Sequence, residues 1–201
     1  MSSSPLKLGF LASRNGSSMR AMIEAIQAGE LAAEPRLVVS NNKNAGALEF
    51  AASRGVPTLV IPTQSDPEAA DARLCAAMEA AGVDLIVASG YLRRLGAKTL
   101  GRYRNRVINI HPGALPAFGG EGMYGRRVHE AVIAAGVAES GVTIHAVDEI
   151  YDHGPVIARR SVPLAPGETA ESLEARVTAL EPSFFVETLR RIADGDLALP
   201  D

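Results

Sequence analysis

The chain has 201 residues, a formal net charge of −3, 47% hydrophobic and 21% charged residues, and one cysteine, Cys75. This length suits a single α/β domain, the mild negative charge does not favour nucleic acid, and a lone cysteine excludes an intramolecular disulfide or a cysteine-built zinc site. No run approaches the roughly 20 apolar residues that span a bilayer, and residues 1–7 lack the charged-then-apolar order of a signal peptide. The expectation is a cytoplasmic protein with residues 1–5 disordered, no membrane partner and no nucleic-acid partner.

A continuous apolar run at 6–12, broken only by Lys7, predicts a buried first strand that ends in Ser13-Arg14-Asn15-Gly16-Ser17-Ser18. Met19, Met22, Ile23 and Ile26 then recur at helical spacing. A second strand is expected at 36–40, a helix at 45–54 closing on Gly55, a third strand at 58–61, a helix at 67–81 and a fourth strand at 83–88. Strands buried on both faces and joined by helices give a doubly wound α/β fold with a mainly parallel sheet and right-handed crossovers.

After Arg106 the pattern changes. A strand at 106–110 runs into His111-Pro-Gly-Ala-Leu-Pro116, followed by a glycine-rich loop at 118–125 and a helix from about Val128. Two further strands, 140–147 and 155–162, flank a polar turn at 148–154, and their short connection predicts an antiparallel pair appended to the parallel sheet. Thr169 opens a last helix that either continues past Pro182 or breaks there. The expected organisation is one domain over 1–201, with a phosphate-binding half at 6–105 and a catalytic half at 106–201.

Ligands of open α/β sheets sit beyond the carboxyl ends of the strands, where three segments fall: the Asn15-Gly16-Ser17 turn, Gly90 to Arg94, and Asn109-Ile110-His111. The turn offers backbone N–H groups and serine hydroxyls at a helix N-terminus, which suits a phosphate, against the plainer reading of an ordinary Ser N-cap. Asn109 and His111 stand at period-two spacing, so both side chains point to one side and can converge on one oxygen. Asp152 lies in the turn before Gly154-Pro155, where an aspartate is commonly only a turn former. Arg93 with Arg94, and Glu181, read first as solvated charges. His129, His145 and His153 show no HxH or HExxH spacing, so no metal is expected.

In this order and spacing the segments resemble the folate-dependent formyl-transfer and formyl-hydrolysis superfamily, and within it the glycinamide ribonucleotide formyltransferases, over about 6–197. The most specific part is Asn109-Ile110-His111-Pro112 with Leu115-Pro116, followed by Asp152 in its Asp-x-Gly-Pro turn. The resemblance implies a single-domain, Rossmann-like formyltransferase fold with Asn109, His111 and Asp152 as the catalytic trio. It places the substrate phosphate on Gly16, Ser17 and Ser18, and the ribose on Glu181. Leu92, Arg93, Arg94 and Leu95, together with Asn109, Asp148 and Asp152, would hold 10-formyltetrahydrofolate as co-substrate. The loop at 118–125 resembles a longer-loop branch found in some bacteria and plants.

Three positions depart from the pattern: Ser18 stands where many members have asparagine, Arg14 where glycine is usual, and Pro67 where some carry a folate-contacting arginine. The activity implied is formyl transfer to a small-molecule amine in purine synthesis by a monomer or homodimer. Formylation of an amino-sugar nucleotide, hydrolysis of 10-formyltetrahydrofolate, a non-catalytic folate- or nucleotide-binding module and a flavodoxin-like redox protein are the alternatives.

Overall fold

The computed structural model describes residues 4–201. Six strands and helices alternate from the start: β1 (Leu6–Leu11), α1 (Ser17–Gln27), β2 (Ala33–Ser40), α2 (Gly46–Ser53), β3 (Thr58–Val60) and α3 (Pro67–Ala80). Then follow β4 (Leu85–Ala88), α4 (Ala97–Arg102), β5 (Val107–His111), α5 (Arg126–Ala134), β6 (Glu139–Ala146), β7 (Val156–Pro163) and α6 (Ala170–Ala193). The expected disorder at 1–5 falls on residues 1–3, outside the described part, and on Ser4 and Pro5, which lead without regular structure into β1.

One seven-stranded sheet carries the order β3-β2-β1-β4-β5-β6-β7. β1 to β5 pair in parallel, and β6 and β7 add antiparallel at one edge. This is the mainly parallel sheet with an antiparallel addition that the pattern of short apolar runs predicts. Period-two alternation sends successive side chains to opposite cores. Leu8, Phe10, Val38, Leu85, Val87 and Ile108 meet the α1 and α6 side, with Met19, Met22, Phe184 and Phe185. Leu37, Val39, Ile86 and Val107 meet α3, with Leu74 and Met78. Both faces are covered, which is why these strands read as unbroken apolar runs.

Two features correct or complete the sequence reading. The helix α4 was not foreseen, because six residues carry no apolar period. Its N-terminus is made by Asp71 of α3, whose carboxylate accepts from the Gly96, Lys98 and Thr99 amides at 3.0, 2.9 and 3.4 Å. At the other end of the chain, α6 runs straight through Pro182. Proline there removes one intrahelical hydrogen bond, but the buried face of Phe184, Phe185 and Leu189 and a Thr169–Ser172 capping box hold the helix on both sides of it.

Candidate active site

The sheet changes winding direction between β1 and β4, and the chain segments beyond their carboxyl ends are tied together. The Ser13 amide donates to the Gly90 carbonyl at 3.2 Å. Ser13 Oγ accepts from the Leu92 amide at 2.8 Å, and Ser89 Oγ accepts from the Met19 amide at 3.0 Å. The switch point of a doubly wound sheet is where a crevice opens, and here the crevice walls are cross-linked.

The turn after β1 is built from backbone. Gly16 is the N-cap of α1 at φ 60°, and no side chain caps the helix, which sets aside the plain Ser N-cap reading. With the Met19 amide taken by Ser89, the Ser17 and Ser18 amides have no protein acceptor among the described residues. Two free N–H groups at a helix N-terminus make an anion-binding geometry. A polar cleft of about 470 Å³ opens beside it, with Arg14, Lys43 and Arg93 on its walls.

The densest cluster lies on β5 and β6. Antiparallel register sets Asn109 opposite His145 and His111 opposite Thr143, so all four side chains share one face. Thr143 Oγ1 donates to the Gly113 carbonyl at 2.8 Å and accepts from the Leu115 amide at 3.2 Å, pinning the proline-bounded loop behind His111. His111 is 3% exposed. Its Nδ1 lies 3.4 Å from Asp152 Oδ2 and its Nε2 lies 2.7 Å from the Phe118 carbonyl. Asp152 occupies the left-handed region at φ 55°, which aspartate and asparagine adopt more readily than other side chains. Its Oδ2 also accepts from the Gly120 amide at 3.1 Å. His111 and Asp152 thus meet directly, and Asn109 lies on the same strand face as His111.

His145 joins them, and the sequence reading missed it, weighing it only as a metal ligand. Its Nδ1 is 2.9 Å from the Ala146 carbonyl, which can only accept, so that nitrogen carries the proton. Burial pushes its pKa down, with the Ala146 hydrogen bond and the Asp152 charge opposing. The neutral ring therefore presents a lone pair at Nε2, 3.3 Å from Asn109 Nδ2. Asn109 donates one amide hydrogen there, and its other amide hydrogen has no acceptor among the described residues. The signal was available: His145 faces Asn109 once β6 is paired antiparallel to β5.

Glu181 is another correction. It is not a fully solvated charge but half-buried on α6, and burial alone pushes its carboxyl up to about 7. Its carboxylate oxygens are not among the buried unpartnered atoms, so they reach solvent and can accept from a ligand. The Arg93 and Arg94 pair divides. Arg93 lines the polar cleft, whereas Arg94 donates to the Glu149 carbonyl and stacks over Tyr151 at 5.4 Å, joining the 92–95 segment to the 148–152 turn. Asp148 shapes that turn: Oδ1 accepts from the Ile150 amide at 2.8 Å and Oδ2 pairs with His153 Nδ1 at 2.7 Å. Burial raises the Asp148 pKa, but these hydrogen bonds outweigh it and hold the carboxyl below its usual value. Leu92, Ile150 and Tyr151 leave apolar side chains exposed on these two segments, 57%, 59% and 51%, a surface suited to a flat heterocycle.

The chain is similar to known proteins along most of its length. The formyl transferase family model matches residues 6–189. A chloroplastic phosphoribosylglycinamide formyltransferase from Vigna unguiculata is 37% identical over 94% of this chain and 61% of its own length. The chain thus spans less than two-thirds of that plant relative. The phosphoribosylglycinamide formyltransferase of Mycobacterium tuberculosis is 35% identical over 95% of this chain and 86% of its own. Among solved structures, the phosphoribosylglycinamide formyltransferase of Coxiella burnetii superposes with a TM-score of 0.85 at 37% identity, over 95% of this chain and 88% of that one. With the match running from β1 into α6 and taking in every residue of the β5–β6 cluster, the chain belongs to the formyl transferase family.

Proposed function

We propose that the protein transfers the formyl group of 10-formyltetrahydrofolate to the amine of glycinamide ribonucleotide. The observation that carries this reading is the juxtaposition of Asn109, His111, His145 and Asp152 on one face at the carboxyl end of β5. Four polar groups that converge there, nearly dry, fit acyl transfer better than redox or simple binding. The free Ser17 and Ser18 amides supply the phosphate site that a ribonucleotide needs, and Glu181 accepts from its ribose hydroxyls. The apolar edges of 92–95 and 148–152 take the pterin.

In this reading the neutral substrate amine attacks the formyl carbon, and negative charge develops on the formyl oxygen. Asn109 donates its second amide hydrogen to that oxygen, held in direction by His145. His111 adds the N–H at Nε2. Asp152 steers the ring through Nδ1 and relays the proton lost by the new ammonium towards the departing folate nitrogen. The carbon–nitrogen bond to the folate then breaks, with no covalent enzyme intermediate. Cys75 takes no part: it is buried in α3, and burial, followed by the charges of Glu79 and Asp71, raises its pKa.

The test is a substrate panel with 10-formyltetrahydrofolate and four acceptors: glycinamide ribonucleotide, water, an amino-sugar nucleotide and charged initiator tRNA. Glycinamide ribonucleotide is expected to be formylated fastest. Faster reaction of the amino-sugar nucleotide, or release of formate with no acceptor dependence, overturns the assignment.

A further inference from the structure

The loop at 118–125 is the one glycine-rich stretch to which the proposed chemistry gives no task, yet its first turn touches two of the groups that carry that chemistry. The Phe118 carbonyl is 2.7 Å from His111 Nε2. A carbonyl oxygen only accepts, so Nε2 carries the proton in this arrangement. Two residues on, the Gly120 amide donates at 3.1 Å to Asp152 Oδ2, the same oxygen that faces His111 Nδ1 at 3.4 Å. Both ring nitrogens and the shared carboxylate oxygen are thereby held by one short piece of backbone and by each other.

The turn is itself braced. The Phe118 amide donates to the Ala114 carbonyl at 3.0 Å, and the Phe118 ring packs on the core. Gly119 lies so close to its neighbours that a Cβ would stand 2.2 Å from Leu115 Cδ2 and 2.9 Å from Asp152 Cβ. Contacts below 3.0 Å force a shift, and here one neighbour is the catalytic aspartate. A residue other than glycine would thus push the turn off Asp152, or Asp152 off His111.

We infer that the backbone of Phe118, Gly119 and Gly120 is a positioning element for the reaction: the Phe118 carbonyl holds His111 Nε2–H in the place that the formyl oxygen takes over, while the Gly120 amide fixes the Asp152 carboxylate. Resting on the formyl-transfer reading above, this gives the glycine-rich loop a role in rate rather than in substrate affinity. While the carbonyl holds the ring, His111 has no free N–H, so a formyl oxygen that accepts from Nε2 must displace Phe118. Pre-orientation of this kind acts on the reacting geometry, where an error of about 1 Å can cost on the order of 100-fold in rate.

The experiment uses the full chain labelled with ¹⁵N-histidine, and three variants. In the wild type, a hydrogen-bonded His111 Nε2–H resonance, assigned by its loss in His111→Gln, is expected and should shift when 10-formyltetrahydrofolate is added. In Gly119→Ala that resonance should be lost and kcat should fall about 10-fold or more, with both KM values within about threefold. Glu121→Ala, exposed in the same loop, should behave as wild type. An unprotonated Nε2 in the wild type, unchanged kcat in folded Gly119→Ala, or a loss confined to KM overturns the inference. Should Gly119→Ala fail to fold, the wild-type resonance alone decides. A wild type that shows the resonance but formylates no amine would sink the proposed function instead, so the two failures are separable.

Discussion

At the end of β1 the groups left free are backbone amides, those of Ser17 and Ser18, on a turn whose shape depends on Gly16 at φ 60°. At the end of β5 they are side chains: Asn109, His111, His145 and Asp152, drawn from two strands and a turn 43 residues apart in sequence at its extremes. Identity matters little in the first region, because any residue supplies an amide, and conformation matters greatly. In the second, side-chain identity matters as well, because the atoms that converge there belong to side chains. Asp152 even sits in a strained backbone region, and what counts is which atoms its side chain places beside His111. Substrate affinity should therefore follow backbone changes at the first site, and turnover should follow side-chain changes at the second.

The sharpest way to break this contrast is at the second site. His111→Ala should lower kcat by about 100-fold or more with little effect on folate affinity. Asp152→Asn tests the charge without disturbing the backbone, since asparagine tolerates φ 55° as aspartate does. It should depress kcat by a similar factor, and the double variant should be little worse than the poorer single, because the two act as a unit. Steady-state kinetics with circular dichroism as a folding control decide this. Near-normal turnover in Asp152→Asn would reduce that residue to a turn former.

At the first site the effect should be smaller and fall on KM. Gly16→Val puts a branched side chain at positive φ, with its Cβ 3.3 Å from both Ala12 and Ala47 Cβ. The turn must open, so KM for the ribonucleotide should rise by about 10-fold while kcat changes less. A folded Gly16→Val variant with wild-type KM would remove the turn from the site.

The smallest expected effect sharpens the comparison from Glu181. Burial raises its carboxyl from the usual 4.5 to about 7, so the native state binds a proton that the unfolded chain has released in that window. The sign is then fixed: wild-type stability falls as pH rises from about 4.5 through 7, and Gln, which does not titrate, escapes the loss. Glu181→Gln should match wild type in thermal unfolding at pH 4 and exceed it by roughly 1–3 kcal/mol, a few degrees in Tm, at pH 8. A gap independent of pH would mean that Glu181 is not desolvated.

Much of this was legible in the chain. The apolar runs at β1, β2 and β4 are continuous because both sheet faces are covered, and a continuous run needs no knowledge of its partners. The motif around Asn109 and His111 was legible for the same kind of local reason, as period-two spacing puts the two side chains on one face whatever lies across from them. Local chemistry also marked the antiparallel pair, through the short polar connection between β6 and β7.

The rest depended on contacts between distant residues. α4 exists because Asp71, on another helix, satisfies its first amides. His145 became a partner of Asn109 only through strand pairing, and Glu181 became a desolvated carboxyl only once α6 packed against the sheet and α1. The clamp of Phe118 and Gly120 on His111 and Asp152 joins a glycine-rich loop to residues that lie far along the chain from it or on another element. Periodicity, turn chemistry and spacing are properties of a few neighbouring residues, so the sequence by itself determined the elements other than α4, and the motif. Burial and hydrogen-bond partnership are set by which segments meet, and a charge or an amide takes its role from them, so that part was decided by the tertiary structure.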